Sequence, residues 1–327
     1  LQVWRTVWQR ALPVPRLMFV PRAQKHLSRQ DHPLTIGYHQ TISAPHIHRM
    51  TMTSLRGVLE RLTTADRHCT VPAVHVLDIG CGSGYVMALM CEVLNTWAMS
   101  LVQPPSELRV VGIEIVSELV AFAKRNMCRW WSTVFLPAVS SVSKRSRNTT
   151  TATRKTTPRK RSCKVGGHPR RPRSRVRKPS RSNRRVSPRL LCTTPSDRTV
   201  NHPTQRYTLQ WDCFHADGHH GYPPLQPYVF INVGAMAQQS IPKALQQQVI
   251  RKGRLLIPVH KSDRSSTTTI ASASSPSTSG DYVQWDATGE PDPSSDPSSD
   301  PSAEQSLGKV TFVPLVSGIP HSLRPTK

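Results

Sequence analysis

Residues 76–90 read VLDIGCGSGYVMALM. An apolar run ends at an acid, Asp78, three glycines follow between residues 80 and 84, and an amphipathic run then begins. Glycine adopts left-handed backbone at no steric cost, so a cluster of three marks a tight turn that something else approaches closely. A strand, a glycine-rich turn and a helix in this order form the opening unit of a ligand-binding α/β sheet. The spacing excludes two ligand classes. The dinucleotide fingerprint G-x-G-x-x-G needs glycine where Tyr85 stands, and the triphosphate loop needs G-K-[ST], which is absent. What remains is an acid at a strand end followed by small residues.

The surrounding pattern repeats that unit. VHVLDI and VVGIEI read as strands, each followed by helical spacing, with Ser117 as a plausible N-cap of the second helix. YTLQWDC, PYVFINV and RLLIPV read as further strands. Residues 241–251 read as a helix closed by Gly253. This alternation predicts a doubly wound, Rossmann-like α/β sheet. Three acids fall at successive strand ends: Asp78, Glu114 and Asp217. Such a set suits S-adenosylmethionine, which carries an ammonium and a sulfonium but no phosphate. Asp78 would hold the cationic end, Glu114 the ribose hydroxyls and Asp217 the adenine amino group.

The motifs resemble those of the protein-L-isoaspartate (D-aspartate) O-methyltransferases. PRLMFVP, TIGYHQTISAPHIHRM, VLDIGCGSGY, ADGHHGYP, INVGAMAQQSIPKALQQQVIRKGRLLIPV and VTFVPL all match segments of that family. TISAPH is the most discriminating, because methyltransferases in general lack it. The resemblance implies an S-adenosylmethionine-dependent enzyme that methylates the free α-carboxyl of isoaspartyl and D-aspartyl residues in damaged proteins, leading to repair through a succinimide. It further implies that Ser43 is the catalytic residue. Gln40, Thr41, Ile42, Ser43 and His48 would line the cofactor and substrate sites. Asp78, Ile79, Gly80, Cys81 and Gly82 match the first cofactor motif, Glu114 and Ile115 the ribose contact, and Asp217 and Gly218 the adenine contact. Cys81 stands where the family often has Ser or Thr, and Val316 where it often has Thr.

Composition divides the chain. It has 327 residues, a formal net charge of +25, 37% hydrophobic and 6% aromatic residues, a lean mixture if all of it packs. The charge is concentrated: 21 of the 44 Lys+Arg and one of the 19 acids lie within residues 137–206. The resulting expectation is a methyltransferase part at 1–136, a disordered basic insertion at 137–206, the domain continued at 207–262, a disordered Ser/Pro/Asp insertion at 263–308, and a final strand with the C-terminus at 309–327. Long loops add little closure entropy, so a core tolerates them. The basic insertion reads as a neutral expansion, a polyanion or nucleic-acid tether, or a nuclear localisation run. The tether sustains an alternative function, a nucleic-acid-associated protein retaining a methyltransferase core that is inactive or acts on another acceptor.

Seven cysteines without a C-x-x-C spacing favour a reducing compartment over disulfides or zinc. No metal site and no membrane span are expected. A monomer in the cytoplasm is expected, with the nucleus and, from the Arg-bearing start LQVWRTVWQRALPVPRLMF, the mitochondrion as alternatives.

Overall fold

The computed structural model describes residues 13–139, 198–201, 207–260, 278–287, 303–312 and 314–315. Two 3-10 turns, Arg16–Met18 and Arg22–Leu27, precede a hairpin of β1 (Leu34–Gly37) and β2 (Gln40–Ile42). The hairpin is the TIGYHQTIS segment, and its turn holds Tyr38 and His39 at φ 54 and 56. α1 (Pro45–Arg61) starts on a proline, whose missing amide no first turn would use. β3 (Ala73–Ile79), α2 (Tyr85–Met99), β4 (Glu107–Glu114) and α3 (Ser117–Trp130) follow as two strand–helix units. The rest of the chain supplies β5 (Thr199–Asn201), β6 (Thr208–His215), β7 (Tyr228–Val233), β8 (Ala237–Gln238), α4 (Lys243–Gln246), β9 (Val249–His260), β10 (Thr278–Asp286) and β11 (Ala303–Phe312).

The main sheet runs β11-β10-β9-β7-β3-β4-β6-β5. Its five central strands are parallel, and β5, β10 and β11 add antiparallel pairs at the two ends. Counted in chain order, the parallel strands lie 3-2-1-4-5, the Rossmann-like order, so the topological switch falls between β3 and β7. Successive residues alternate between two cores. Val76, Val110 and Phe230 face α1, α2 and α3, whereas Leu77, Val111 and Ile231 face the layer built from residues 214–249. Burial on both faces explains the nearly continuous apolar runs in sequence. Among the described residues no helix is long and apolar enough to cross a membrane.

Three expectations change. First, residues 241–251 are not one helix: α4 covers only Lys243–Gln246, and β9 begins at Val249. Gly253 is no cap; it lies within β9, where a Cβ would come within 2.8 Å of the Val229 and Ile250 carbonyl oxygens. Its role is close backbone approach in a strand. Second, the segment 263–308 is not wholly loop. β10 and part of β11 lie inside it, and Tyr282 and Val283 are buried in the two cores. Short alternation in GDYVQWD was masked by the Ser-rich composition around it. Third, the basic segment 137–206 contributes structure at both ends. Residues 137–139 continue the helix beyond the π-helical turn Trp131–Phe135, and β5 pairs with β6. Arg198 reaches Asp212 at 3.0 Å and lies over the Trp211 ring. Its expected disorder otherwise concerns residues 140–197 and 202–206, outside the described residues, as does the remainder of the Ser/Pro/Asp segment.

β10 is locked to the helical layer by Arg254 of β9. Its Nε and Nη2 donate to the two Asp286 carboxylate oxygens at 2.6 and 2.8 Å, a bidentate pair, and its Nη1 reaches the Ser54 carbonyl of α1 at 3.4 Å. Gly57 and Gly253 therefore make opposite predictions. Gly253→Ala should lower stability by about 1–3 kcal/mol through overpacking. Gly57→Ala, whose Cβ meets only Arg254 Nη1 at an ordinary 3.6 Å, should raise it by about 0.5–1 kcal/mol. Urea unfolding midpoints of the two variants would check both signs.

Candidate active site

The site forms at the carboxyl ends of β3 and β7, where the strand order reverses. Asp78 and Asn232 are partners in the parallel register and project to the α1 side. Asn232 Nδ2 donates to Asp78 Oδ1 at 2.8 Å. Tyr282 of β10 donates to Asn232 Oδ1 at 3.3 Å, and its hydroxyl is 3.0 Å from Thr51 Oγ1 on α1. Four elements thus converge on one buried carboxylate. Asp78 is 1% exposed. Burial pushes its carboxyl up to about 7, against the Asn232 hydrogen bond and with help from the charge of Glu114.

Beyond Asp78 the chain turns through Gly80, Gly82 and Gly84 at φ 71, 51 and 81. Positive φ at all three positions is why this turn requires glycine. The turn hydrogen-bonds to the end of β4: the amides of Gly80 and Cys81 both donate to the Ile113 carbonyl. Glu114 is buried beside it. One carboxylate oxygen accepts the Gly82 amide at 3.0 Å, the other the Ile115 and Val116 amides at 2.9 and 3.1 Å. Burial raises the Glu114 carboxyl and these three amides oppose the rise.

The loop from β2 to α1 is held from behind by Arg16. Its guanidinium is 6% exposed and donates to the carbonyls of Ser28, His32, Ile42 and Ser43 at 2.9–3.3 Å. The His48 ring packs edge-on against Tyr85. Burial first, then the charge of Arg16, push the His48 imidazole down to about 3. His48 is therefore neutral. A neutral imidazole keeps one ring nitrogen as an acceptor. His48 Nε2 and Asp78 Oδ2 are both buried without a hydrogen-bond partner among the described residues.

Three adjoining cavities result. The central one is lined by Ile42, Ser43, His48, Asp78, Cys81 and Asn232. Both unpartnered atoms belong to this wall. A second is lined by Ile79, Glu114, Ile115, Ala216, Gly218 and Leu315. Thr41, Gly80, Gly82 and Gly234 line both. A Cβ on Gly218 would lie 2.5 Å from Ile79 Cγ2. The third is an open basin of about 1510 Å³ beside Gln40, Ser43, His46, Lys309 and Phe312. Ser43 stands on the seam between the central cavity and the basin. The walls suit a ligand with a cationic, proton-donating end at Asp78 and His48 and a hydroxyl-bearing portion at Glu114. An acceptor would then approach from the basin past Ser43.

Sequence reasoning and geometry agree on most of the set. Gln40, Thr41, Ile42, Ser43, His48, Asp78, Ile79, Gly80, Cys81, Gly82, Glu114, Ile115 and Gly218 all line one of the three cavities. Asp217 does not line any of them. Its carboxylate accepts the His219 amide at 2.9 Å and caps the turn that carries Gly218. Asn232, Tyr282, Thr51 and Arg16 were missed. Asn232 had a signal, a polar residue in the apolar strand YVFINV. Tyr282 had almost none, because low-complexity sequence flanks its strand.

The sequence profile described as Protein-L-isoaspartate(D-aspartate) O-methyltransferase (PCMT) matches residues 3–138 and 191–284. The chain belongs to this family. The unmatched stretch between the two blocks is the most basic part of the sequence. A protein-L-isoaspartate O-methyltransferase of Hyperthermus butylicus is 41% identical over 123 residues, 36% of this chain and 42% of that one. The protein of the same name from Aeropyrum pernix is 37% identical over 124 residues, 38% of each chain. The chain thus spans under half the length of these relatives. A protein-L-isoaspartate O-methyltransferase structure from Plasmodium falciparum, solved with S-adenosyl-L-homocysteine, aligns at TM-score 0.48 and 17% identity over 92% of this chain and 85% of that one.

The raised Asp78 carboxyl sets two pH dependences. In the folded state it keeps its proton up to about 7, whereas unfolded it releases it near roughly 3.9. Stability is therefore greatest below the unfolded value and falls as pH rises through this window. Asp78→Asn should remove that decline and be the more stable form at pH 8, by on the order of 2 kcal/mol. A cationic ligand on Asp78 favours the ionised form, so its affinity for the wild type should rise through pH 7. Thermal melts and calorimetry between pH 5.5 and roughly 8.5 would check both trends.

Proposed function

We propose that the chain transfers a methyl group from S-adenosylmethionine to the free α-carboxylate of L-isoaspartyl, and D-aspartyl, residues in damaged proteins and peptides. The observation that carries this reading is the position of Ser43, between a cavity with unpartnered buried polar atoms and an open basin large enough for a peptide segment. When bound, the donor supplies a methyl group already activated by its sulfonium. Everything else falls to this chain's residues.

Asp78 Oδ2 and His48 receive the ammonium end, and Glu114 accepts a ribose hydroxyl on Oε2, where only the Gly82 amide is bound. Gly218 gives the adenine its flat wall, and Asp217, by capping that turn, holds it there. Ser43 donates its hydroxyl to the incoming carboxylate. Its backbone is held by Arg16, which donates to its carbonyl at 2.9 Å. No general base is needed: a free α-carboxyl has a reference pKa of roughly 3.3–3.7 and arrives ionised. Neutral His48 is consistent with that, since a group at about 3 takes no proton at working pH. Catalysis is then alignment in a fixed cleft, a contribution that reaches roughly 7–11 kcal/mol in favourable cases. The ester product would cyclise to a succinimide that reopens in part to normal aspartate.

The test is transfer of labelled methyl to matched isoaspartyl and aspartyl peptides. Label should enter the isoaspartyl peptide alone. Ser43→Ala should lower kcat by about 10²–10³, the usual cost of one hydrogen-bond donor at a reacting oxygen, with affinity for S-adenosylhomocysteine retained. Equal labelling of both peptides, or parallel loss of affinity in the variant, would refute the assignment.

A further inference from the structure

Cys81 and Cys213 are 132 positions apart in sequence, yet their Sγ atoms lie 3.6 Å apart. Cys81 sits in the glycine turn and lines the central cavity; Cys213 sits on β6, two strands from β3. They meet across Gly112 of β4, which is the register partner of both Asp78 and Cys213. Any Cβ at Gly112 would lie 3.2 Å from the Cys81 Cβ and closer still to Met87, so the missing side chain is what lets the two thiols approach. Neither is bonded to the other in this structure, and both are free thiols.

We propose that Cys81 and Cys213 are a modification site: a hydroperoxide reaching the ligand-free cleft converts them to a disulfide, and the cross-link closes the cleft to its ligand. Cys81 is the reacting thiol, because it forms part of the cavity wall, and Cys213, 1% exposed, is the resolving one. The Cys81 sulfur attacks one peroxide oxygen, the O–O bond breaks, and a sulfenic acid and one water result when hydrogen peroxide is the oxidant. The Cys213 sulfur then attacks the sulfenic sulfur, the S–S bond forms, and hydroxide leaves to take up the thiol proton as a second water. Two thiols lose two electrons and two protons; the peroxide gains them.

The geometry makes the bond accessible and gives it a consequence. Shortening 3.6 Å to the roughly 2.05 Å of a disulfide requires a small displacement, and Cys81 is the partner able to move, with a positive-φ glycine on each side. Gly80 and Gly82 line both the central cavity and the one beside Glu114. Drawing Cys81 toward β6 shifts both glycines and strains the Gly82 amide contact to Glu114. The Cys213 hydrogen bond and burial keep the Cys81 thiol protonated, so the reaction answers sustained rather than brief oxidant exposure. A ligand in the central cavity covers Cys81 and protects it.

The cross-link does not depend on the proposed methyl transfer, whereas its effect on ligand binding rests on that reading. The experiment uses the full chain exposed to hydrogen peroxide with and without S-adenosylhomocysteine, followed by alkylation, digestion and mass spectrometry, with calorimetry on the same samples. A Cys81–Cys213 linked peptide should form, disappear with dithiothreitol and be suppressed by S-adenosylhomocysteine. Oxidised protein should lose at least about tenfold in affinity for that ligand, about 1.4 kcal/mol, and regain it on reduction. Cys213→Ser and Cys213→Ala should give no linked peptide and leave Cys81 as a sulfenic acid that a dimedone label traps. Over-oxidised Cys81 without the link, pairing with Cys163 or Cys192 instead, or a linked protein of unchanged affinity would overturn the proposal. Untreated protein that binds no S-adenosylhomocysteine would sink the methyltransferase reading, while the peptide map would still decide whether the two sulfurs join.

Discussion

A carboxylate buried at the point where the sheet reverses direction organises this molecule. Asp78 could not be accommodated there without Asn232, whose amide donates to it from the neighbouring strand, and Asn232 is itself held by Tyr282. A polar group taken out of water costs free energy unless it is hydrogen-bonded, and only one of the two Asp78 oxygens is. The site thus keeps an unmet demand in the folded state, which a cationic ligand would satisfy. Residues that bind tightly often detract from stability in this way.

The dependence on Tyr282 gives the second half of the sequence its purpose. β10 is the eighth element of the main sheet in chain order, separated from β9 by residues that the structure does not describe, yet it supplies the far end of the chain of hydroxyl and amide contacts that begins at Asp78. The Arg254–Asp286 pair, tied through Arg254 to Ser54 on α1, fixes the strand's register. Since closure entropy grows only with the logarithm of loop length, a distant segment with a good register lock can complete an active site as well as a local one.

What could be read in advance follows from the same physics. β3, β4 and β7 were legible because burial on both faces demands apolar side chains at every position, and that makes any acid or amide in them conspicuous. Asp78 and Glu114 stood out for this reason, and Asn232 carried the same signal unread. Gly253 misled because a glycine after helical spacing marks a cap more often than a crowded strand, and only the Val229 carbonyl across the sheet distinguishes the two. Tyr282 was hidden by composition: nine residues of strand between Ser-rich and Pro/Ser/Asp-rich stretches weigh little in a window average. Arg16 stands within PRLMFVP without a legible role, because four carbonyls brought together from residues 28, 32, 42 and 43 form a partner that exists only after folding.

Arg16 also explains how one cleft can serve reactants of opposite charge. On the β3 and β4 side Asp78 and Glu114 make the walls suitable for a cation. On the opposite side, behind Ser43, Arg16 is a buried cation whose guanidinium donates to four neutral carbonyls. Its field depresses the His48 imidazole, and the same field would favour a carboxylate arriving at the Ser43 hydroxyl. A charge at low effective dielectric acts over several ångströms, so Arg16 need not touch an acceptor to attract it. The cleft is therefore polarised along the line from Asp78 to Ser43. A cationic donor and an anionic acceptor placed at its two ends would each meet the charge it prefers, and their reacting atoms would face each other across the seam where Ser43 stands.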